Sequence, residues 1–468
     1  MASALPESIA IAINIDKGEC YVCRNEIRGL VRGGSEGLLS PLVKIQVEPA
    51  EVDDDHVHLR FTHSNRYWQK REGNSDIVAV STRPDEDKEN LTCTLFKPRV
   101  ESDVLYLTHA QTGRPVVFDQ SRGFLSLDRN GTGSPMRFVD ADTLVKLPKH
   151  VAFKAVYNGF FLKAEYYRDY TLFSNPVDYR YFRFNSSDRD EVASRYEVIP
   201  MEDGHVMIKS EYYGMFWVQT KSWIAGGSND VATPSNKYAL FRPVKISDNA
   251  IALRSAANDM FCKGLTLDNK YDCLNANDPN MSKYAQLEVH ELVKKRIISN
   301  VMYRMDDTRI YDEKPLMVGQ VSLENPSDQE ETMTAEVEYK DEKSYSFSHG
   351  LSITTGVIYS MDLTNLLFIS GKGKVRFLYD LCRYVNWGHT KMEATTLTAS
   401  DTVTVPPKSK VIVNCVATEG TCNVPFSYTQ DDFSSIDNNF SRSDHVDGVY
   451  EGVSYFNIKF EVAETHGV

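Results

Sequence analysis

Two stretches decide the fold, VHLRFTHSNRYW at Val57–Trp68 and VMIKSEYYGMFW at Val206–Trp217. In each, an alternating apolar run meets a short polar turn at Asn65 or Gly214, and a second apolar run follows. Period-two burial around a residue that tolerates positive φ is the pattern of a β-hairpin. The same pattern recurs in IAIAINIDKGECYV from Ile9, VLYLTHAQTGRPVV from Val104, VAFKAVYNGFFL from Val151 and IALRSAANDMFC from Ile251. The copies start roughly 50 residues apart, and none could bury its apolar face alone. A longer period lies above the short one: Val57–Trp68 repeats at Val206–Trp217, an offset of 206 − 57 = 149, and LFKP from Leu95 repeats as LFRP from Leu240. Three hairpin units per long period, twice over, predict two tandem β-trefoils. LVKLPKHVAFK around Leu147 marks the joint, and LEVHELVKK marks the end of the second copy. The expected boundaries are 1–147, 148–294 and 295–468.

The remainder of the chain fits a folded protein. Of 468 residues, 41% are hydrophobic and 25% charged, which excludes disordered, collagen-like and coiled-coil classes. A formal charge of −13 disfavours nucleic acid and anionic lipid, so neutral ligands are expected and a nucleic-acid partner is not. MASALPESIAIAINIDKGE has neither the basic start nor the apolar core of a signal peptide, so a cytoplasmic or nucleocytoplasmic protein is expected. No apolar run approaches the ~18 residues of a membrane-spanning helix. Eight cysteines are too sparse for a disulfide scaffold, although Cys415 and Cys422 could face each other across a hairpin. Cys20 and Cys23 have CxxC spacing without a second pair, so no metal is expected, nor any other cofactor.

After Lys295 the repeat stops, and Ser, Thr, Asp and Glu enter long strand-like runs that predict a third, all-β domain. In YSFSHGLSITTGV, Tyr345, Phe347, Leu351, Ile353 and Val357 share one face, while Ser346, Ser348, Ser352 and Thr354 share the other. In ISGKGKVRFLYDLCRYVNW, Ile369, Val375, Phe377, Tyr379 and Trp387 oppose Lys372, Lys374 and Arg376. The connection between them, VIYSMDLTNLLFI, is apolar where a surface turn would be polar. Each arm exceeds the ~9–11 residues of a transmembrane β-strand, and one such hairpin per subunit could close a barrel. The same alternation also describes an ordinary half-buried antiparallel sheet, and both readings stand on periodicity alone.

VMIKSEYYGMFWVQTKSWIA, YALFRPVKISDNAIALRS, FCKGLT and CLNA resemble the agglutinin domains of amaranthin-type plant lectins. RMDDTRIYD, VEYKDEKSYSFSHGLSITTGV, WGHTK, TVTVPPKSKVIV and CNVPFSYTQDD resemble the aerolysin-like pore-forming module that some of these lectins carry. The two resemblances cover nearly the whole chain. They imply an all-β protein of two β-trefoil agglutinin domains followed by an elongated aerolysin-like β-sheet domain, acting in plant defence. The lectin resemblance implies glycans ending in galactose or N-acetylgalactosamine, including the T-antigen disaccharide. Such a site stacks an aromatic ring on the sugar and reads its hydroxyls with polar groups. The candidates are Tyr212, Tyr213, Trp217 and Trp223 in the second module, and His63, Asn65 and Trp68, with Tyr67, in the first. Trp223, flanked by Gly226 and Gly227, is expected to be exposed, whereas Tyr67, Trp68, Phe216 and Trp217 could equally be trefoil core. Glu211 stands where the family pattern leads one to expect Asn.

The toxin resemblance implies that residues 345–387 form a prestem folded as a short sheet, which refolds into one hairpin of a shared barrel. Ser346, Ser348, Ser352, Thr354, Lys372, Lys374 and Arg376 would line the lumen. Tyr359, Met361, Leu363, Leu366, Leu367 and Phe368 would form the tip. The implied partners are a target-cell membrane and further copies of the chain, a dimer as soluble lectin and a ring such as a heptamer as pore. A multimeric lectin whose third domain serves assembly alone is the alternative. Enzyme chemistry is not expected. Gly33–Gly37 fits GxSxG around Ser35 but leads into another strand-like run rather than a helix, and HELVK from His290 lacks the second histidine of a zinc motif.

Overall fold

The computed structural model describes residues 5–15, 18–128, 131–169, 177–227, 233, 235–349, 357–361, 366–371, 373–378, 387–388, 390–437 and 439–467. Every named element is a β-strand or a single 3-10 turn. The chain divides into two compact units, one built from Met1–Arg296, Leu351–Ile358 and Asp432–Ser441, the other from Ile297–Gly350, Tyr359–Asp431 and Arg442–Val468.

The first unit holds two twelve-stranded sheets. In the first, Ser8–Ile15 pairs with Ile45–Pro49, which pairs with Val57–Phe61, then Leu95–Glu101, Val104–His109 and Met136–Asp140, which returns to Ser8–Ile15. Six strands closed on themselves leave no barrel edge. The second sheet closes the same way through His150–Ala155, Tyr196–Pro200, Val206–Ser210, Phe241–Lys245, Ala250–Ser255 and Leu287–Glu291. The other six strands of each sheet are the returning arms of three hairpins, which makes each sheet a trefoil. All six quoted repeats are hairpins. Asn or Gly takes positive φ, as expected, at Asn65 (49°), Gly113 (63°), Gly159 (74°) and Gly214 (62°), whereas in IALRSAANDMFC it is Asp259, at 63°, beside the Asn.

The cores follow the repeat. Trp68 lies 5.5 Å from Phe61 and 6.3 Å from Phe96. Its counterpart Trp217 lies within 5.8 Å of Phe153, Phe182, Tyr196 and Phe241. Both indoles are completely buried.

The second unit is built on long strands, including Ser409–Ser434 and Phe440–Gly467. Ser409–Ser434 alternates buried and partly exposed positions along most of its length, as a one-sided sheet requires. Its continuity corrects one expectation. Cys415 and Cys422 lie in this single strand, about 23 Å apart along it at 3.3 Å per residue, and both are free thiols. Between them, Gly420 makes room for the Phe456 ring, which a Cβ there would approach to 2.9 Å. Cys23 is also a free thiol; burial, with a hydrogen bond to Glu36, pushes it up to about 12, so it holds its proton at neutral pH.

Trp217→Ala should cost about 3–5 kcal/mol, read as a fall in the denaturation midpoint of the trefoil unit. A cost below 1 kcal/mol would remove Trp217 as the plug of the second barrel.

Candidate functional site

In the first module the hairpin turn builds a buried polar network. Arg60 donates from Nε to Glu48 at 2.8 Å and from a terminal nitrogen to Asn65 Oδ1 at 2.7 Å. The Tyr67 hydroxyl donates to the other Glu48 oxygen at 2.7 Å. Asn65 and Tyr67 are buried with it. Asn65 therefore holds the turn and the arginine, and Trp68 fills the core; neither can meet a sugar. His63, half-buried, is the expected first-module residue nearest the surface.

The second module differs at the same positions. Tyr212, the counterpart of His63, is 49% exposed, and Tyr213 beside it is half-buried. Burial holds the Tyr213 hydroxyl well above its ordinary pKa, and that hydroxyl donates to the Tyr181 carbonyl at 3.2 Å. Gly226 permits this approach, since a Cβ there would lie 3.2 Å from the Tyr213 ring. Glu211 is engaged by His150 Nδ1 at 3.1 Å. Trp217 is core, and Trp223, expected outside, is only 7% exposed. It packs against Tyr181 at 6.1 Å and lies under the Lys270 ammonium at 4.8 Å.

The hairpin of Phe161–Asp169 and Val177–Ser186 completes this face, and the sequence reading missed it. Tyr166 lies opposite Arg180 in its register, and its ring sits 5.1 Å from Tyr213 and 6.3 Å from Tyr212. On the other side of the ladder Tyr179 stacks on Tyr181 at 5.8 Å. Tyr166 and Tyr179 are exposed, so three tyrosine rings, with Tyr212, reach solvent. EYYRDY and DYRYF were the available signal, but they lie outside the repeats. On the side of the ladder that carries Tyr179 and Tyr181, Glu165 accepts from Asn185 at 2.7 Å and faces Arg183 at 3.4 Å.

In the second unit, Tyr345 and Phe347 point inward from Glu331–His349, Ser346 is half-buried and Ser348 exposed. Leu366–Ser370 and Lys374–Leu378 form a two-stranded sheet. The two strands meet at Ser370 and Lys374, and Gly373 at φ 64° donates from its N to the Ser370 carbonyl at 2.8 Å. Leu366, Leu367 and Phe368 are strand residues opposite Leu378, Phe377 and Arg376 in this folded form. Met361, Leu366, Leu367, Ile369 and Trp387 are buried in one core with Tyr345, Phe347, Phe426 and Tyr450, and Val375 and Tyr359 pack on its edge. Val357 is half-buried, while Phe377, Lys374 and Arg376 face solvent. Leu351, Ser352, Ile353, Thr354, Leu363, Lys372 and Tyr379 lie outside the described residues. Two hydroxyls of Phe440–Gly467 clasp the hairpin: Tyr450 donates to the Leu367 carbonyl at 2.6 Å, and Ser454 accepts from the Ile369 amide at 3.1 Å.

Comparison with known proteins agrees with this division. A family model described as Agglutinin domain matches residues 12–116. One described as Clostridium epsilon toxin ETX/Bacillus mosquitocidal toxin MTX2 matches residues 286–450. The agglutinin match falls on the first module, whereas the motifs quoted for that likeness lie in the second. No curated protein matches the chain. Among solved structures, the Bacillus thuringiensis parasporin-2 toxin that recognizes cancer cells is 16% identical over 36% of this chain and 74% of its own, with a TM-score of 0.21. Lamprey immune protein is 10% identical over 77% and 86%, with a TM-score of 0.28. A mosquitocidal holotoxin is 7% identical over 64% and 36%, with a TM-score of 0.29. These likenesses are slight, and the assignment rests on the family models. Residues 12–116 are an agglutinin domain and residues 286–450 an aerolysin-like toxin domain of the ETX/MTX2 kind, so the chain joins a lectin module to a pore-toxin module.

Proposed function

We propose that the protein binds glycans ending in galactose or N-acetylgalactosamine through the tyrosine face of its second trefoil, then oligomerises on the membrane that displays them and inserts a β-hairpin pore. It acts by binding and assembly, without enzyme chemistry. The observation that carries the pore reading is a strand register. Glu331–Tyr345 pairs with Lys391–Val405 without a break, and the two residue numbers of every pair add to 736. Continuing that register sets Tyr359 opposite Phe377 and Met361 opposite Val375, and turns the chain at Phe368. Because 736 is even, the odd-numbered apolar positions of both arms fall on one face. Ser346, Ser348, Lys374 and Arg376 fall on the other. A slip of one residue would set apolar against polar throughout. The extended hairpin would carry Leu367, Phe368 and Ile369 at its apex, an apolar tip for lipid, and a basic lumen that favours anions.

Three outcomes test this reading. Tyr212→Ala should weaken binding to galactose-bearing glycans about tenfold, or about 1.4 kcal/mol; unchanged binding removes the tyrosine face. Tyr450→Phe keeps the ring that packs on Phe347 and removes the bond to Leu367. It should lower amide protection over Leu366–Ser370 by about 1–2 kcal/mol and speed dye release from glycan-bearing vesicles. In Ser346→Cys/Glu451→Cys, two cross-strand partners at disulfide distance staple the front of the prestem. Release by the parent protein, lost on oxidation of this variant and regained on reduction, is the expected result. No release from any glycan-bearing vesicle, with glycan binding intact, would mean that the third domain only assembles lectin heads.

A further inference from the structure

A recessed site lies on the first trefoil, at the hairpin of Gly18–Arg24 and Val31–Gly34, which holds the place that Phe161–Asp169 and Val177–Ser186 hold in the second. A cavity of about 350 Å³ is lined by residues that include Asn25, Ile27, Arg28, Arg32, Arg122 and Phe124. One wall is a tight turn: Asn25 N donates to Leu30 O at 2.8 Å, Gly29 N to Asn25 O at 2.8 Å, and Arg28 N to the Asn25 side chain at 2.9 Å. Gly29 is required there, at φ 66° with a would-be Cβ 2.4 Å from Val80. The turn carries Ile27, 92% exposed, and Arg28 to the mouth. The other wall is Phe124, paired across the ladder with Arg32. Arg122 lies 4.3 Å over the Phe124 ring and is fixed by Asp119 at 2.6 Å and Asp76 at 3.0 Å.

The charges of this cavity do not balance internally. Asp119 and Asp76 are spent on Arg122. Glu36 meets Arg32 only at 3.5 Å and also accepts from the Cys23 thiol. The Arg28 guanidinium has no acidic partner among the described residues, the Asn25 amide nitrogen donates to none of them, and the exposed Glu26 does not line the cavity. The Arg32 Nε is buried without a hydrogen-bond acceptor among the described residues, a cost that a small turn of the guanidinium toward an anion would recover. Two under-committed guanidiniums beside an apolar wall and a free amide suit a ring that carries paired anionic oxygens. An acidic ligand is not what a chain of charge −13 attracts in general, so the preference belongs to the site.

We propose that this cavity binds an acidic sugar, a pyranose bearing a carboxylate or a sulfate. Its anionic oxygens are held by Arg28 and Arg32, its apolar ring edge by Ile27 and Phe124, and a hydroxyl by Asn25. That the ligand is a sugar rests on the lectin reading of this module; the site itself is independent of Tyr212. The test is titration calorimetry of the full chain with N-acetylneuraminic acid, glucuronic acid, galactose 6-sulfate, galactose and inorganic sulfate, repeated for Arg28→Ala, Arg32→Gln and Tyr212→Ala. At least one acidic sugar should bind, weaken with added salt, and weaken fivefold or more in Arg28→Ala and in Arg32→Gln but not in Tyr212→Ala. Galactose binding should respond in the opposite way. Acidic-sugar binding by a chain that ignores galactose would sustain this inference and sink the galactose reading. Galactose binding without any acidic-sugar binding would do the reverse. Inorganic sulfate bound as tightly as the sugars, or acidic-sugar binding indifferent to both arginine changes, would overturn the assignment.

Discussion

A β-strand has two faces, and only one register brings the like faces of two strands together. That constraint runs through both halves of this molecule. In each trefoil it closes six strands without an edge, so a tryptophan from the same repeat position can plug each barrel. In the toxin-like domain it produces an unbroken ladder whose parity is the one that would keep two amphipathic arms in phase. The trefoil barrels are already closed, whereas the ladder stops at Tyr345 and Lys391 and leaves its continuation folded elsewhere.

Apolar burial holds the described part of that continuation. Met361, Leu366, Leu367, Ile369 and Trp387 each gain about 2 kcal/mol by leaving water, and the bilayer interior would return nearly the same. The apolar side chains therefore set a barrier without choosing strongly between the two destinations. Backbone polar groups would choose, because an isolated hairpin in lipid would leave a strand edge unpaired unless neighbouring copies supplied the missing partners. The Tyr450 and Ser454 hydroxyls act on the same currency, satisfying backbone groups of a strand that has one strand partner among the described residues.

Much of this was legible in the sequence, for physical reasons that also explain the failures. Hairpins were legible because alternation and a turn residue are local, and Asn65, Gly113, Gly159, Gly214 and Asp259 all adopt the conformation their side chains permit. Which aromatic is core and which is surface is not local. Trp223 looked exposed beside two glycines, but Tyr181 and Lys270, each more than 40 residues away in sequence, cover it. The tyrosines of the Phe161–Asp169 hairpin were passed over because they break the repeat, although departure from a repeat is where one copy acquires what the others lack.

Four tryptophans are distributed unevenly over this architecture: Trp68, Trp217 and Trp223 belong to the trefoils, and Trp387 alone to the toxin-like domain. Its indole stacks on Tyr359, with planes 7° apart, and meets Tyr428 at 5.2 Å. A chromophore seated within the very core that would have to open makes the molecule its own optical probe. Once the three trefoil indoles are replaced by phenylalanine, the emission of the remaining one reports, without any label, whether that core is shut.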